Sequence, residues 1–144
     1  MTLKTLLIAT AATLTLTAAT APAHAGNYLS LKQYGYANSF GSGQNGKRNR
    51  LTVHQDGYAN QSFGKQSGKR NRVVIGQDGH WNRADAAQFG RRNIVGIAQF
   101  GKGHSAVTTQ DGNGNAIGVI QAGRGNRTNV TQIGRGNVSV IVQD

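Results

Sequence analysis

The stretch Asn49-Arg50-Leu51-Thr52-Val53-His54-Gln55-Asp56-Gly57-Tyr58-Ala59-Asn60 decides the fold. From Asn49 to Gln55 it alternates: Leu51 and Val53 share the parity of Asn49 and Gln55, while Arg50, Thr52 and His54 take the other. A period of two is the signature of a strand with one buried face. From Gln55 to Asn60 the alternation stops at a glycine, which suits a tight reversal where positive φ or close backbone approach is needed. One strand and one turn thus occupy eleven residues, and Asn71-Arg72-Val73-Val74-Ile75-Gly76-Gln77 starts the same plan again.

The plan runs in both directions from there. Glutamine recurs every eleven residues at Gln33, Gln44, Gln55, Gln66, Gln77, Gln88, Gln99, Gln110, Gln121, Gln132 and Gln143, and Gln61 alone lies off the period. Glycine follows two residues later at Gly35, Gly46, Gly57, Gly68, Gly79, Gly90, Gly101, Gly112, Gly123 and Gly134. Asparagine follows five residues after glutamine at Asn38, Asn49, Asn60, Asn71, Asn82, Asn93, Asn115, Asn126 and Asn137, with His104 in the remaining place. The second and fourth residues after each Asn carry no charge and include Phe40, Leu51, Val53, Val73, Ile75, Val95, Ile97, Ile117, Val119, Val130 and Ile141. The intervening places carry Arg50, Lys65, Arg72, Arg83, Asp85 and Arg127, so inner and outer faces separate. Leu29 and Leu31 stand in the inward places of a further strand before Gln33, giving eleven strands in all.

The turns show a longer period. One set reads Asn45-Gly46-Lys47-Arg48, Ser67-Gly68-Lys69-Arg70 and Phe89-Gly90-Arg91-Arg92, and the other Tyr34-Gly35-Tyr36-Ala37, Asp56-Gly57-Tyr58-Ala59 and Asp78-Gly79-His80-Trp81. The true unit is therefore 22 residues, a strand-arc-strand rung whose strands stack on their copies two units later. The expected fold is an all-β solenoid of about five rungs with two facing parallel sheets. Stacking also explains the buried amides. A primary amide is costly inside unless its carbonyl and NH₂ are both bonded, and strands about 4.7–4.8 Å apart let identical Gln or Asn side chains bond to the copies above and below. His104 is expected to interrupt one such ladder, and its reversal to Asn to speed assembly.

Composition agrees with a repeat and excludes much else. The chain has 144 residues with 21 Gly, one Pro, no Cys and no Glu, 37% hydrophobic and 15% charged residues, and a formal net charge of +11. Without cysteine, disulfides cannot stabilise it outside the cell. Residues 1–25 read as a secretory signal: Lys4 near the start, an uncharged Ala/Leu/Thr stretch from Thr5 to Thr20, and Ala23-His24-Ala25 as the cleavage site. Residues 26–144 then form the repeat domain of an exported protein. No helix is evident to cap the stack, so its end strands, Tyr28 to Gln33 with Ser39 to Gln44 and Arg127 to Gln132 with Val138 to Gln143, are expected to template further chains.

Repeated Q-x-G-x-x-N units separated by alternating aliphatic residues, behind a secretory leader, resemble the curlin repeat of curli subunits, the bacterial surface amyloids. The resemblance spans about residues 28 to 143. It implies export through a dedicated outer-membrane channel, a companion curli subunit, and assembly at the cell surface into adhesive fibres of the biofilm matrix. Subunits of the major type carry a separate stretch before the first repeat, whereas only Gly26 and Asn27 stand there in this chain. Full motifs in nearly every unit and the basic charge look more like the minor, nucleating subunit.

Other functions are less well served by these residues. Lys47, Arg48, Arg50, Lys69, Arg70, Arg72, Arg91 and Arg92 form an expected basic edge, which either stays solvated and slows premature aggregation or docks on anionic lipid, lipopolysaccharide or extracellular DNA. The alternative from another class is a monomeric cationic solenoid that binds surface polysaccharide or nucleic acid. Calcium-binding solenoids need a recurring G-G-x-G-x-D, which is missing, and an ice-binding face needs a regular outward array, which Arg50, Gln61, Arg72, Arg83, Ile94 and Ser105 do not make. His54, His80 and His104 fall in three repeat phases, so no catalytic cluster, metal site or cofactor site is expected, nor a small-molecule substrate.

Overall fold

A computed structural model describes residues 26–144; the expected signal segment, residues 1–25, lies outside the described residues. Eleven strands follow one another: β1 (Tyr28–Tyr36), β2 (Ser39–Lys47), β3 (Arg50–Tyr58), β4 (Gln61–Lys69), β5 (Arg72–His80), β6 (Arg83–Arg91), β7 (Ile94–Lys102), β8 (Ser105–Asn113), β9 (Ala116–Arg124), β10 (Arg127–Arg135) and β11 (Val138–Gln143). The odd strands make a six-stranded parallel sheet in the order β1-β3-β5-β7-β9-β11, and the even strands a five-stranded one in the order β2-β4-β6-β8-β10. Partners lie 22 residues apart at every ladder position, as in Gln33↔Gln55, Val53↔Ile75 and Gln88↔Gln110. This is the β-solenoid with a 22-residue rung that the turn sequences imply.

The inward face also has the 22-residue period. Leu51, Val53, Val73, Ile75, Val95, Ile97, Ile117 and Val119 enter the core from the odd strands. Opposite them the even strands place Ser62, Gly64, Ala84, Ala86, Ala106 and Thr108. Large residues thus meet small ones across the gap, and the sheets close until even a methyl group fails to fit: a Cβ on Gly64 would lie 2.7 Å from Leu51 Cδ2. Interdigitation of this kind fills a core to native density with few residue types. Phe40, Val130 and Ile141 pack against it near the ends, half-buried.

The turns differ from the expected four-residue reversals. Each strand runs nine residues, save the last, and the periodic glycine lies inside the ladder, as in Gly57↔Gly79. At Gly57 φ is 111°, and a Cβ there would press into the carbonyl oxygen of Gly79 in the next rung. The glycine bends the strand while its backbone stays paired, and only two residues separate successive strands. The first of those two takes φ near +55 to +60° at Ala37, Arg48, Ala59, Arg70, Trp81 and Arg92, and about +70° at Gly103, Gly114, Gly125 and Gly136. Six non-glycine residues therefore stand in the left-handed region, each strained by about 1–2 kcal/mol.

Candidate assembly site

The eleven glutamines form two continuous chains of hydrogen bonds, one per sheet. Each Nε2 donates to Oε1 of the glutamine 22 residues later: Gln33 to Gln55 at 2.6 Å, Gln55 to Gln77 at 2.7 Å, Gln77 to Gln99 at 2.8 Å, Gln99 to Gln121 and Gln121 to Gln143 at 2.9 Å. The even set runs from Gln44 through Gln66, Gln88 and Gln110 to Gln132 at 2.7–3.0 Å. The second Nε2 hydrogen reaches across the core. Gln55 on β3 donates to the Ser39 carbonyl on β2, Gln66 on β4 to that of Arg50 on β3, and Gln77 on β5 to that of Gln61 on β4. Interior amides from Gln55 to Gln99 and Gln121 thus tie their own sheet vertically and the two sheets to each other, while Gln110 makes the vertical bond alone.

Asparagine works differently from the expected side-chain ladder. Its Oδ1 accepts from the backbone N–H of the residue 22 later, as in Asn49 with Asn71 at 3.0 Å and Asn71 with Asn93 at 3.1 Å. Its Nδ2 donates to two carbonyls: for Asn49, those of Asn45 in its own arc and Gly68 in the next. Asn38, Asn60, Asn82, Asn93 and Asn115 repeat the arrangement. The short side chain, placed where the strand begins, reaches backbone before it reaches its copy. Asparagine therefore clamps the arcs, and glutamine carries the amide ladder.

His104 does not interrupt this pattern. It is fully buried, its Nδ1 accepts from Asn126 N–H at 3.2 Å, and its Nε2 lies 3.1 Å from the Phe100 carbonyl. The imidazole protonated on Nε2 therefore reproduces two of the three asparagine bonds: Nδ1 replaces Oδ1, and Nε2–H replaces the Nδ2 bond within its own arc but not the one to the next arc. The expected gain from restoring Asn loses its physical basis.

The basic edge is sharper than the sequence suggests. Lys47, Arg48, Lys69, Arg70, Arg91 and Arg92 line one groove along the arcs that leave the even strands. Lys47, Lys69 and Arg91 stand in one ladder column. Arg50 and Arg72 belong elsewhere: they pair with each other on the outer face of the odd-stranded sheet, where the Arg50 guanidinium lies 4.7 Å from the Tyr28 ring centre. On the opposite edge Tyr36 stacks on Tyr58 at 5.8 Å, Trp81 meets Tyr58 edge-on, and Lys102 covers Trp81. Among the described residues the one ion pair is Arg83 with Asp85, on an exposed face, and no group of acidic, His or Cys residues is arranged to hold a metal.

The end faces interrupt every ladder. Among the described residues, β1 and β2 each lack an outer neighbour on the starting face, and β10 and β11 do on the finishing face. On the inner face Leu29 and Leu31 are exposed at one end, and Val130 and Ile141 are only half-buried at the other; Val138, Val140 and Val142 are exposed on the outer face of β11. Polarity is preserved across the stack. Gln33 and Gln44 accept no hydrogen bond through Oε1 among the described residues, while Gln132 and Gln143 turn Nε2 onto Ser139 Oγ and the Arg127 carbonyl. One face offers acceptors and the other offers donors.

With this geometry in view, the curlin-associated repeat matches the chain twice, over residues 46–79 and 105–134. The chain is a curlin-repeat protein. Both matched spans hold the Gln, Gly and Asn places that build the ladders and arcs. No curated protein matches the sequence. Curlin repeats belong to curli-type amyloid subunits, secreted to the cell surface as fibres, and this fold and family are structural in character.

Proposed function

We propose that this curlin-repeat protein is a structural subunit or nucleator of an extracellular, curli-like amyloid fibre, assembling end to end by cross-β stacking. The observation that carries the reading is the pair of open end faces, one with free amide acceptors and the other with donors, each carrying inward aliphatic residues left partly uncovered. A face of this kind is satisfied by another copy of the same repeat and by little else, since a slipped register sets amides against aliphatics. Export after removal of residues 1–25, passage through an outer-membrane channel, a companion curli subunit and a role in adhesion and biofilm matrix complete the reading. Thioflavin fluorescence with X-ray fibre diffraction tests it. Seedable growth after a lag, with reflections at about 4.7–4.8 Å and about 10 Å, is the expected result.

The groove of six cations supports a second reading. A monomeric solenoid that binds surface polysaccharide, lipopolysaccharide or nucleic acid through this edge would remain folded and soluble, never seed, and lose its ligand as salt rises.

A further inference from the structure

The six-to-five division of the described strands sets how copies bounded by β1 and β11 stack, given the fibre reading above. Both end faces step in the same sheet: β1 at the start and β11 at the finish both belong to the six-stranded sheet. A copy added by simple translation sets β1 on β11. Its five-stranded sheet then falls one strand short, and a strand-wide gap of unpaired backbone opens between β10 and the incoming β2. We infer that each successive copy is instead turned half a turn about the fibre axis, so that the incoming β1 docks on β10 and the incoming β2 on β11. Two copies then place eleven strands in each sheet with no gap, and the repeating unit of the fibre is a pair of chains.

The residues brought together suit this joint. Extending the 22-residue register, the incoming Gln33 lies over Gln132, Gln44 over Gln143 and Leu31 over Val130, so donors on one face meet acceptors on the other. The incoming Tyr28, already covered on one side by its own Arg50, receives Arg127 on the other, and Tyr36 lies over Arg135. Translation alone also sets Gln33 on Gln143 in the six-stranded sheet, so the amides do not decide; the vacant strand place between β10 and the incoming β2 does. Turning each copy also places the cationic grooves of neighbouring chains on opposite sides of the fibre.

Two cysteine pairs separate the arrangements in a protein that has no cysteine of its own. Tyr34, Asn45 and Ile133 are exposed at equivalent places, one after the periodic glutamine. The half-turn sets the incoming Tyr34 beside Ile133, whereas translation carries Tyr34 to the other sheet and leaves Asn45 in the Ile133 column, across the vacant strand place. Fibres of the exported protein carrying Tyr34→Cys with Ile133→Cys are expected to give a ladder of covalent oligomers with a short bis-maleimide, and Asn45→Cys with Ile133→Cys to stay unlinked. The reverse pattern, or fibres in which neither pair links, overturns the half-turn. Absence of fibres from the unsubstituted protein overturns the fibre reading itself. Helical reconstruction of unsubstituted fibres gives a second readout: an axial rise of about 26 Å with a rotation near half a turn supports the inference, and about 29 Å without it refutes it.

Discussion

Gln77→Leu removes one amide from the middle of the odd ladder at nearly constant volume. Gln77 is 1% exposed, accepts from Gln55 Nε2 at 2.7 Å, and donates to Gln99 Oε1 at 2.8 Å and the Gln61 carbonyl at 2.9 Å. All three bonds go. Gln55 Nε2 keeps the Ser39 carbonyl, but Gln99 Oε1 is left buried without a partner, and an orphaned buried acceptor costs about 1–3 kcal/mol. Adding about 1 kcal/mol for the other bonds and subtracting a little for the extra apolar area leaves a loss of about 3 kcal/mol. The protein supplies its own control, since Gln61 is the glutamine off the period and its side chain is exposed; Gln61→Leu is expected to cost less than about 0.5 kcal/mol. The assay is the concentration of chain left soluble once fibres reach their plateau. With the soluble chain unfolded, a loss of 3 kcal/mol raises it by about a hundredfold, at about 1.4 kcal/mol per tenfold. If both substitutions shift it by the same small factor, the interior amides do not hold the stack and the reasoning fails.

Gly68→Ala forces φ of 115° on a residue with a Cβ and drives that Cβ into the Gly90 carbonyl; a loss of at least about 3 kcal/mol is expected, seen as absent thioflavin growth. Gly96→Ala meets open space and should grow normally. His104→Asn near neutral pH is expected to leave the lag time within about twofold, because the imidazole already makes two of the asparagine's three bonds, whereas His104→Ala should cost about 2–4 kcal/mol in chemical denaturation. Arg92→Gly relieves a left-handed φ of 55° and one groove cation, so a gain of about 0.5–1 kcal/mol is expected by the same denaturation. Raising ionic strength from about 0.01 to 0.15 M shortens the Debye length from about 30 to 8 Å and should shorten the lag; a lag independent of salt would mean that repulsion along the cationic groove does not slow assembly.

Much of this architecture was legible because the repeat writes the same physical demand many times. One Gln-x-Gly-x-x-Asn is a weak signal, but its recurrence every eleven residues makes Gln55 and Gln77 neighbours in space, and the alternation around Leu51 and Val53 says which way they point. The parallel sheets and the inward residues follow from that. What stayed hidden were choices that depend on side-chain reach and on facing partners. Gln55 is long enough to meet Gln77, while Asn49 is not long enough to pass over the backbone of its own arc, and composition treats the two amides alike. The small inward residues Ala84, Ala86 and Ala106 gain their meaning only opposite Val73, Ile75 and Val95. Left-handed geometry at Arg48, Arg70 and Arg92 had a readable sign in the glycines at the same place in later rungs, Gly114 and Gly136. Arg50 and Arg72 were grouped with the arc cations because they are near in sequence, but the outward parity of a strand carries them onto the sheet face.

The amide ladders also explain why such a chain would polymerise in preference to remaining folded alone. Each interior glutamine is satisfied by one copy above and one below, so the deficit lies at the ends and does not grow with the number of rungs. A solitary chain carries both deficits itself: free acceptors on Gln33 and Gln44, donors of Gln132 and Gln143 diverted to other partners, and exposed strands β1, β2, β10 and β11. Joining two chains removes one pair of faces, and a long fibre keeps only two faces however many chains it holds. Added rungs within one chain would give a similar return, but each would need 22 more residues. Stacking copies reaches the same end with a short chain. Under the half-turn arrangement every joint is then built like the rung interior: two strands, two glutamine pairs and no vacant place.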